Sequence, residues 1–277
     1  MDKVPAAACR RLPDRERDGR APPQRVRLRG HARRRPHPRQ HLGGPLYRHR
    51  PEGTPIVATA HLPFSEENHD IYQAMATDTA IIAISHHQAE TAPGIKIRRV
   101  IHHGIDTQSV PLGAGDGGYA SFLGRMHPGK GLPEAIETAR LAQVPLRIAA
   151  KMYSAEEHEY YAAVIAPLLG PDVEYLGELN AADKFVLLGG SVALLNPLQW
   201  DEPFGMAMIE SLAAGTPVVA TFRGSAPEIV SEGVTGYLRS SPRSWPRQSS
   251  PPPRWIAPSA ATPRKTTSVP SAWSPNT

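Results

Sequence analysis

"SVALLNPLQWDEPFGMAMIESLAAGTPVVAT" runs from Ser191 to Thr221. Its apolar start, "SVALL", has the length and composition of a buried strand, and "PVVAT" at its end has the same character. Between them a Pro-rich break leads into a helix near 205–214. A strand, a crossover helix and a second strand in about 30 residues make the unit that builds parallel sheets. Two carboxylates, Glu202 and Glu210, stand on either side of the turn made by Pro203, Phe204 and Gly205. An ordinary amphipathic helix has no need of a charge on each side of such a turn.

Working backwards, the same alternation recurs. "YASFL" (119–123) is a strand and "GRMHPGKG" the loop after it. "LPEAIETARLAQ" is a helix with Pro133 in its first turn, where the missing N–H costs nothing. "PLRIAAK" is a strand, and "SAEEHEYYAAVIAPLL" is a helix opened by Ser154 and Glu157 in capping-box spacing. "VEYL", "NAADKFVLL" and "APEIVSE" complete the series. Further upstream, "PIVATAH", "NHDIYQAMATDT", "AIIAIS" and "KIRRVIHHGID" form a shorter series from about residue 54. The glycines of "PLGAGDGG" (111–118) precede a strand, so they do not make the dinucleotide fingerprint and instead read as a flexible linker. The expected fold class is α/β, a doubly wound parallel sheet over 119–238 preceded by a smaller, incomplete α/β unit over 54–110.

Both ends differ from this body. Residues 1–50 carry fourteen Arg and one Lys against four acids, while residues 239–277 carry five Arg, one Lys and no acid. The overall charge of +5 therefore conceals a body, 51–238, with a net charge of −12. The first end lacks any hydrophobic period, and the second holds nine Pro and nine Ser. Segments 1–53 and 239–277 are read as disordered tails, of a composition that out-of-frame translation of GC-rich DNA produces. No aromatic residues interleave with the basic cluster, which argues against a nucleic-acid partner. No 18-residue apolar run suggests a membrane span, and Cys9 alone makes no disulfide or cysteine-built zinc site. A cytoplasmic location follows as the expectation.

In open parallel sheets ligands bind beyond the carboxyl ends of the strands, so the loops there hold the candidate chemistry. Arg125 and Lys130 lie in the loop after "YASFL". Glu202 lies in the loop after "SVALL", and Gly205 and Met206 open the next helix, whose first N–H groups are free. Two cations and a helix N-terminus suit a diphosphate, with Gly205 permitting close backbone approach. Glu202 and Glu210 then serve hydroxyls on either side of that diphosphate, and no metal is needed. The pairs His86–His87 and His102–His103 are read as not metal-binding, because adjacent imidazoles on a strand point to opposite faces. Lys151 could approach a phosphate or simply end its strand in solvent, and Tyr160 and Tyr161 read as packing residues.

These pieces resemble the retaining glycosyltransferase family 4 of GT-B architecture. "FLGRMHPGKG", "EYLGELNAADK", "EPFGMAMIESLAAGTPVVAT", "RGSAPEIV" and "GVTGYL" carry the resemblance over roughly 119–238. "VATAHLPF" and "VIHHGID" extend it more weakly, with His103 where the family usually has Asn. The resemblance implies transfer of a sugar, with retention, from a UDP- or GDP-linked donor to a sugar, lipid or small-molecule acceptor, without a cofactor. It implies that Arg125 and Lys130 hold the donor diphosphate, that Glu202 contacts the donor sugar and that Glu210 contacts the ribose. The backbone of Phe204, Gly205 and Met206 would lie beside sugar and phosphate, and His61 would reach the sugar from the facing domain. The family's first βα units and its last crossing helix are replaced here by the tails. The alternative is therefore a truncated chain that only binds nucleotide or nucleotide-sugar.

Overall fold

The structure is a computed structural model that describes residues 38–39 and 55–240. The expectations for the two tails fall outside these residues, except at Pro38, Arg39, Arg239 and Ser240. All described residues belong to one compact unit.

The first sheet has four parallel strands in chain order: β1 (Pro38–Arg39), β2 (Ile56–Thr59), β3 (Thr79–Ala83) and β4 (Ile97–Val100). Helix α1 (Glu66–Met75) crosses from β2 to β3, and α2 (His86–Glu90) lies between β3 and β4. Helix α1 begins two residues earlier than "NHDIYQAMATDT" suggests. Asn68 reaches back to accept from the Ser65 N–H at 3.0 Å, which satisfies a donor left free at the helix start. The first histidine pair is not on a strand, as its reading assumed. Ser85 accepts from Gln88 N at 2.9 Å and starts α2 there, so His86 and His87 are helical; His102 and His103 follow β4 in irregular backbone.

The second sheet holds β5 (Tyr119–Arg125), β6 (Leu146–Lys151), β7 (Val173–Gly177), β8 (Ser191–Asn196), β9 (Val218–Thr221) and β10 (Gly236–Arg239). Its spatial order is β10-β9-β8-β5-β6-β7, with every pair parallel. Numbered along the chain, this is the 3-2-1-4-5-6 order of doubly wound sheets, and it reverses between β5 and β8. Helices α3 (Leu132–Ala142), α4 (Ala155–Tyr160), α5 (Ala181–Gly190), α6 (Met206–Ala213) and α7 (Ala226–Ile229) connect the strands.

Both faces of this sheet are covered, and the strand period shows how. Leu195 and Val219 pack with Phe122, Leu132, Ile136 and Ile148, whereas their neighbours Leu194 and Val218 pack with Leu188, Met208 and Val230. Successive side chains alternate between faces, so two apolar layers form from one run of apolar strand. The linker expected over 111–118 has no regular structure but is tied to the second sheet's helices and loops. Gly113, Gly115 and Gly117 donate their N–H groups to Ala214, Gly189 and Gly190, each at 2.9 Å.

The helix expected over 154–169 is not uniform. It runs as α-helix to Tyr160, widens to a π-turn over Tyr161–Ile165 and tightens to a 3-10 turn over Ala166–Leu168. Pro167 has no N–H to continue the ladder, and its ring opposes regular helix in the preceding turn. At the start, the Ser154 hydroxyl accepts from Glu157 N and the Glu157 carboxylate accepts from Ser154 N, both at 3.3 Å. Replacing Ser154 with alanine is expected to cost about 1 kcal/mol of stability. Urea denaturation measures it, and a change below a few tenths would remove the cap from this account.

Candidate functional site

Strand order sets the site. Because β5 and β8 are neighbours, the loops after them open side by side at the carboxyl edge of the second sheet. Here lies a cleft of about 780 Å³, with His61, Leu62, Pro63, Ile84 and His103 of the first sheet's side closing it. All eight residues assigned a site role from sequence line this one cleft: His61, Arg125, Lys130, Glu202, Phe204, Gly205, Met206 and Glu210. Lys151 and Tyr153 line it too.

Each of three cations there has a carboxylate partner. Arg125, the last residue of β5, donates through Nε to Glu157, whose side chain is 3% exposed. Glu157 also accepts from Tyr153 N at 2.7 Å. That backbone bond, opposed by burial and reinforced by Ser154 N and Arg125, holds the Glu157 carboxyl below its ordinary range. Lys130 ends the short turn after β5 and pairs with Glu202, with its ammonium 5.2 Å from the centre of the Trp200 ring. The third pair was missed in the sequence reading: Lys184 of α5 donates to Glu210 of α6 at 2.7 Å. Its signal was present, since "NAADK" belongs to the resemblance, but a lysine inside a helix has no distinctive spacing.

The loop carrying Glu202 is clamped from behind. Ser225 N donates to the Glu202 carbonyl at 3.1 Å, and the Ser225 hydroxyl donates to the Phe204 carbonyl. Gly205 caps α6 at φ 86°, in the left-handed region that L side chains avoid. A methyl group there would stand 2.3 Å from Met208 Cε, inside the buried packing beneath α6. Gly205 and Met206 at the helix start line the cleft, and the positive end of α6 suits an anion.

Aromatic rings join the two sides. The His103 ring stacks on His61, with centroids 5.2 Å apart and planes within 5°, and meets Phe204 edge-on at 5.1 Å. Burial, and then the charge of His61, hold His103 below its ordinary value of 6.5. A folded-state value below the unfolded one means that the native state resists protonation. The resulting stability is complete above the unfolded value and is lost as pH falls through the lowered one. From about pH 7 to about pH 5, the stability of the protein is expected to fall more steeply than that of His103→Asn. Urea titrations across that window compare the two, and parallel curves would remove His103 from the acid response.

Residues 106–247 match the family model described as glycosyl transferases group 1. A putative glycosyltransferase, YtcC, of Bacillus subtilis is 29% identical over 172 residues, 52% of this chain and 42% of the relative. A lipopolysaccharide 1,2-N-acetylglucosaminetransferase of Salmonella typhimurium is 29% identical over 133 residues, 44% of this chain and 35% of the relative. The chain thus spans less than half the length of these curated relatives. Among solved structures, Anabaena HepE in complex with UDP and glucose superposes with a TM-score of 0.56 at 24% identity, covering 68% of this chain and 58% of that one. AviGT4, a glycosyltransferase involved in avilamycin A biosynthesis, superposes at 0.52 with 24% identity, covering 69% and 57%. These likenesses concern the fold, which is α/β of GT-B type. Among the described residues, no helix is long and apolar enough to cross a membrane.

Proposed function

The chain belongs to the glycosyl transferases group 1 family, and on that footing we propose that its cleft binds a nucleoside-diphosphate sugar and transfers the sugar to an acceptor hydroxyl. The observation that carries this reading is the convergence on one cleft, with Gly205 and Met206 at the start of α6, of three cations that each hold a carboxylate partner. An arriving diphosphate competes with Glu157 and Glu202 for Arg125 and Lys130. Release of Lys130 frees Glu202 to accept from hydroxyls of the donor sugar. Glu210, held in place by Lys184, accepts from the ribose. The backbone of Phe204, Gly205 and Met206 lies along sugar and phosphate.

In the reaction, the bond from the sugar C1 to the diphosphate oxygen breaks and a bond from C1 to the acceptor oxygen forms. The acceptor proton passes to the departing diphosphate. Negative charge builds on the leaving group, and Arg125, Lys130 and the helix dipole are already oriented to meet it. His61, on the opposite wall, reaches the sugar where C1 becomes electron-poor. Retention at C1, a UDP- or GDP-linked donor, a sugar, lipid or small-molecule acceptor, a cofactor-free reaction and a cytoplasmic setting belong to this proposal through the family resemblance.

Calorimetric titration with UDP and GDP, beside Glu210→Ala, tests it. Binding of one nucleotide, weakened by about tenfold or more in the variant, supports the ribose role. Absence of binding by folded protein removes the donor site. Binding without turnover of any nucleotide-sugar leaves only the narrower reading of a nucleotide-binding chain.

A further inference from the structure

A second cluster, which the transfer reading does not use, sits where the two sheets' helices meet. His86 opens α2, His102 follows β4, and Glu228 belongs to α7 on the second sheet. One ligand atom from each lies within 4.8 Å of the other two. The Glu228 carboxylate spans the start of α2: Oε2 accepts from His86 N and Oε1 from His87 N, both at 2.8 Å. Oε2 also meets His102 Nε2 at 2.9 Å. The His86 and His102 rings stand edge to face, with centroids 5.6 Å apart.

We propose that His86, His102 and Glu228 form a binding site for a divalent transition-metal ion of the zinc type, which clasps α7 to α2 and to the segment after β4. Two imidazoles and one carboxylate are donors that zinc accepts readily, with water in the fourth position. Magnesium and calcium prefer all-oxygen surroundings, so this donor set discriminates against them. Metal-binding carboxylates and imidazoles are usually oriented by outer hydrogen bonds, and two backbone amides perform that service for Glu228. The ion takes the place of the hydrogen between His102 and Glu228, whose atoms separate slightly. His86 has an exposed side chain, and its ring swings inward to complete bonds of about 2.0–2.1 Å. The site is assembled from two histidines of different sequence pairs and a carboxylate 126 positions beyond His102.

None of the three residues lines the donor cleft, although the His102 ring lies 5.8 Å from that of Phe204 on its wall, and the test needs no sugar transfer. The full chain is titrated with zinc chloride and with magnesium chloride by calorimetry, beside His86→Ala, His102→Ala and Glu228→Gln. The expected result is a micromolar zinc site, no magnesium heat, and affinity at least about tenfold weaker in each variant. Cobalt(II) should give the visible absorption of four-coordination in the parent chain, diminished in all three variants. Zinc should also raise the unfolding midpoint of the parent by about 3 °C or more and that of the variants by less. With twelve histidines in the chain, zinc binding unchanged by these substitutions would place the ion elsewhere and overturn the proposal. So would an absence of zinc binding by folded protein. Circular dichroism confirms folding, and the exposed ring of His86 makes His86→Ala the variant least able to disturb it.

Discussion

Lys130→Ala is expected to weaken binding of the proposed donor nucleotide, UDP or GDP, by roughly ten- to a hundredfold, the worth of a charge-assisted contact to phosphate. The substitution acts twice. It removes the cation proposed to meet the diphosphate, and it leaves Glu202 without the ammonium it pairs with in this structure. An unpaired carboxylate beside the phosphate then repels the ligand it formerly made room for. Turnover should suffer more than binding, by about 100- to 1000-fold, because the leaving group gains charge as the bond breaks. Arg125→Ala is expected to match this in binding. It should also lower stability, since Glu157 is 3% exposed and loses its cation. Calorimetry and donor-consumption rates measure both effects. An unchanged affinity in Lys130→Ala would move the diphosphate away from this loop and take the assignment of Glu202 with it.

Gly131→Ala carries the second large effect. Gly131 has φ 72°, and a methyl group placed there would stand 1.8 Å from the Pro197 carbonyl oxygen. That neighbour is backbone and cannot rotate aside, so the loop after β5 must separate from the loop after β8. Left-handed strain and overpacking together should cost about 3 kcal/mol. For a domain of this size the unfolding midpoint should drop by about 6–12 °C. Gly118 is the control: its φ is 70°, but nothing lies within 4 Å of an added methyl group. Gly118→Ala should therefore show the strain alone, about 1 kcal/mol. Equal losses at the two positions would mean that contact with Pro197 does not constrain the loop. Because Lys130 is the preceding residue, affinity for the proposed donor nucleotide should fall with Gly131→Ala and not with Gly118→Ala.

The cleft was legible at the level of single residues. Lys130, Glu202 and Gly205 announce themselves because they interrupt strand and helix periods at positions where loops must fall, whereas Arg125, read as a loop residue, is the last residue of β5 and pairs there with Lys151. Their partners were not legible. Glu157 reads from sequence as a capping-box glutamate, which it is, and nothing local says that its other face takes Arg125. Lys184 reads as one more polar residue of α5, although it holds Glu210. The histidines were misplaced for a related reason. Their pairs were judged as neighbours along a strand, whereas Ser85 turns the first pair into a helix. The contact that matters joins one member of each pair across space.

By itself, then, the sequence determined the alternation of strand and helix, the double covering of the second sheet and the loops in which charge would collect. Those features follow from side-chain period, capping and turn chemistry, all of which act over a few residues. The tertiary structure alone decided that β8 lies beside β5, about 70 positions away in the chain. It likewise decided that Glu228 reaches α2. Which strands become neighbours depends on how all the helices pack over both faces at once. That is a property of the summed apolar burial, and no short stretch encodes it.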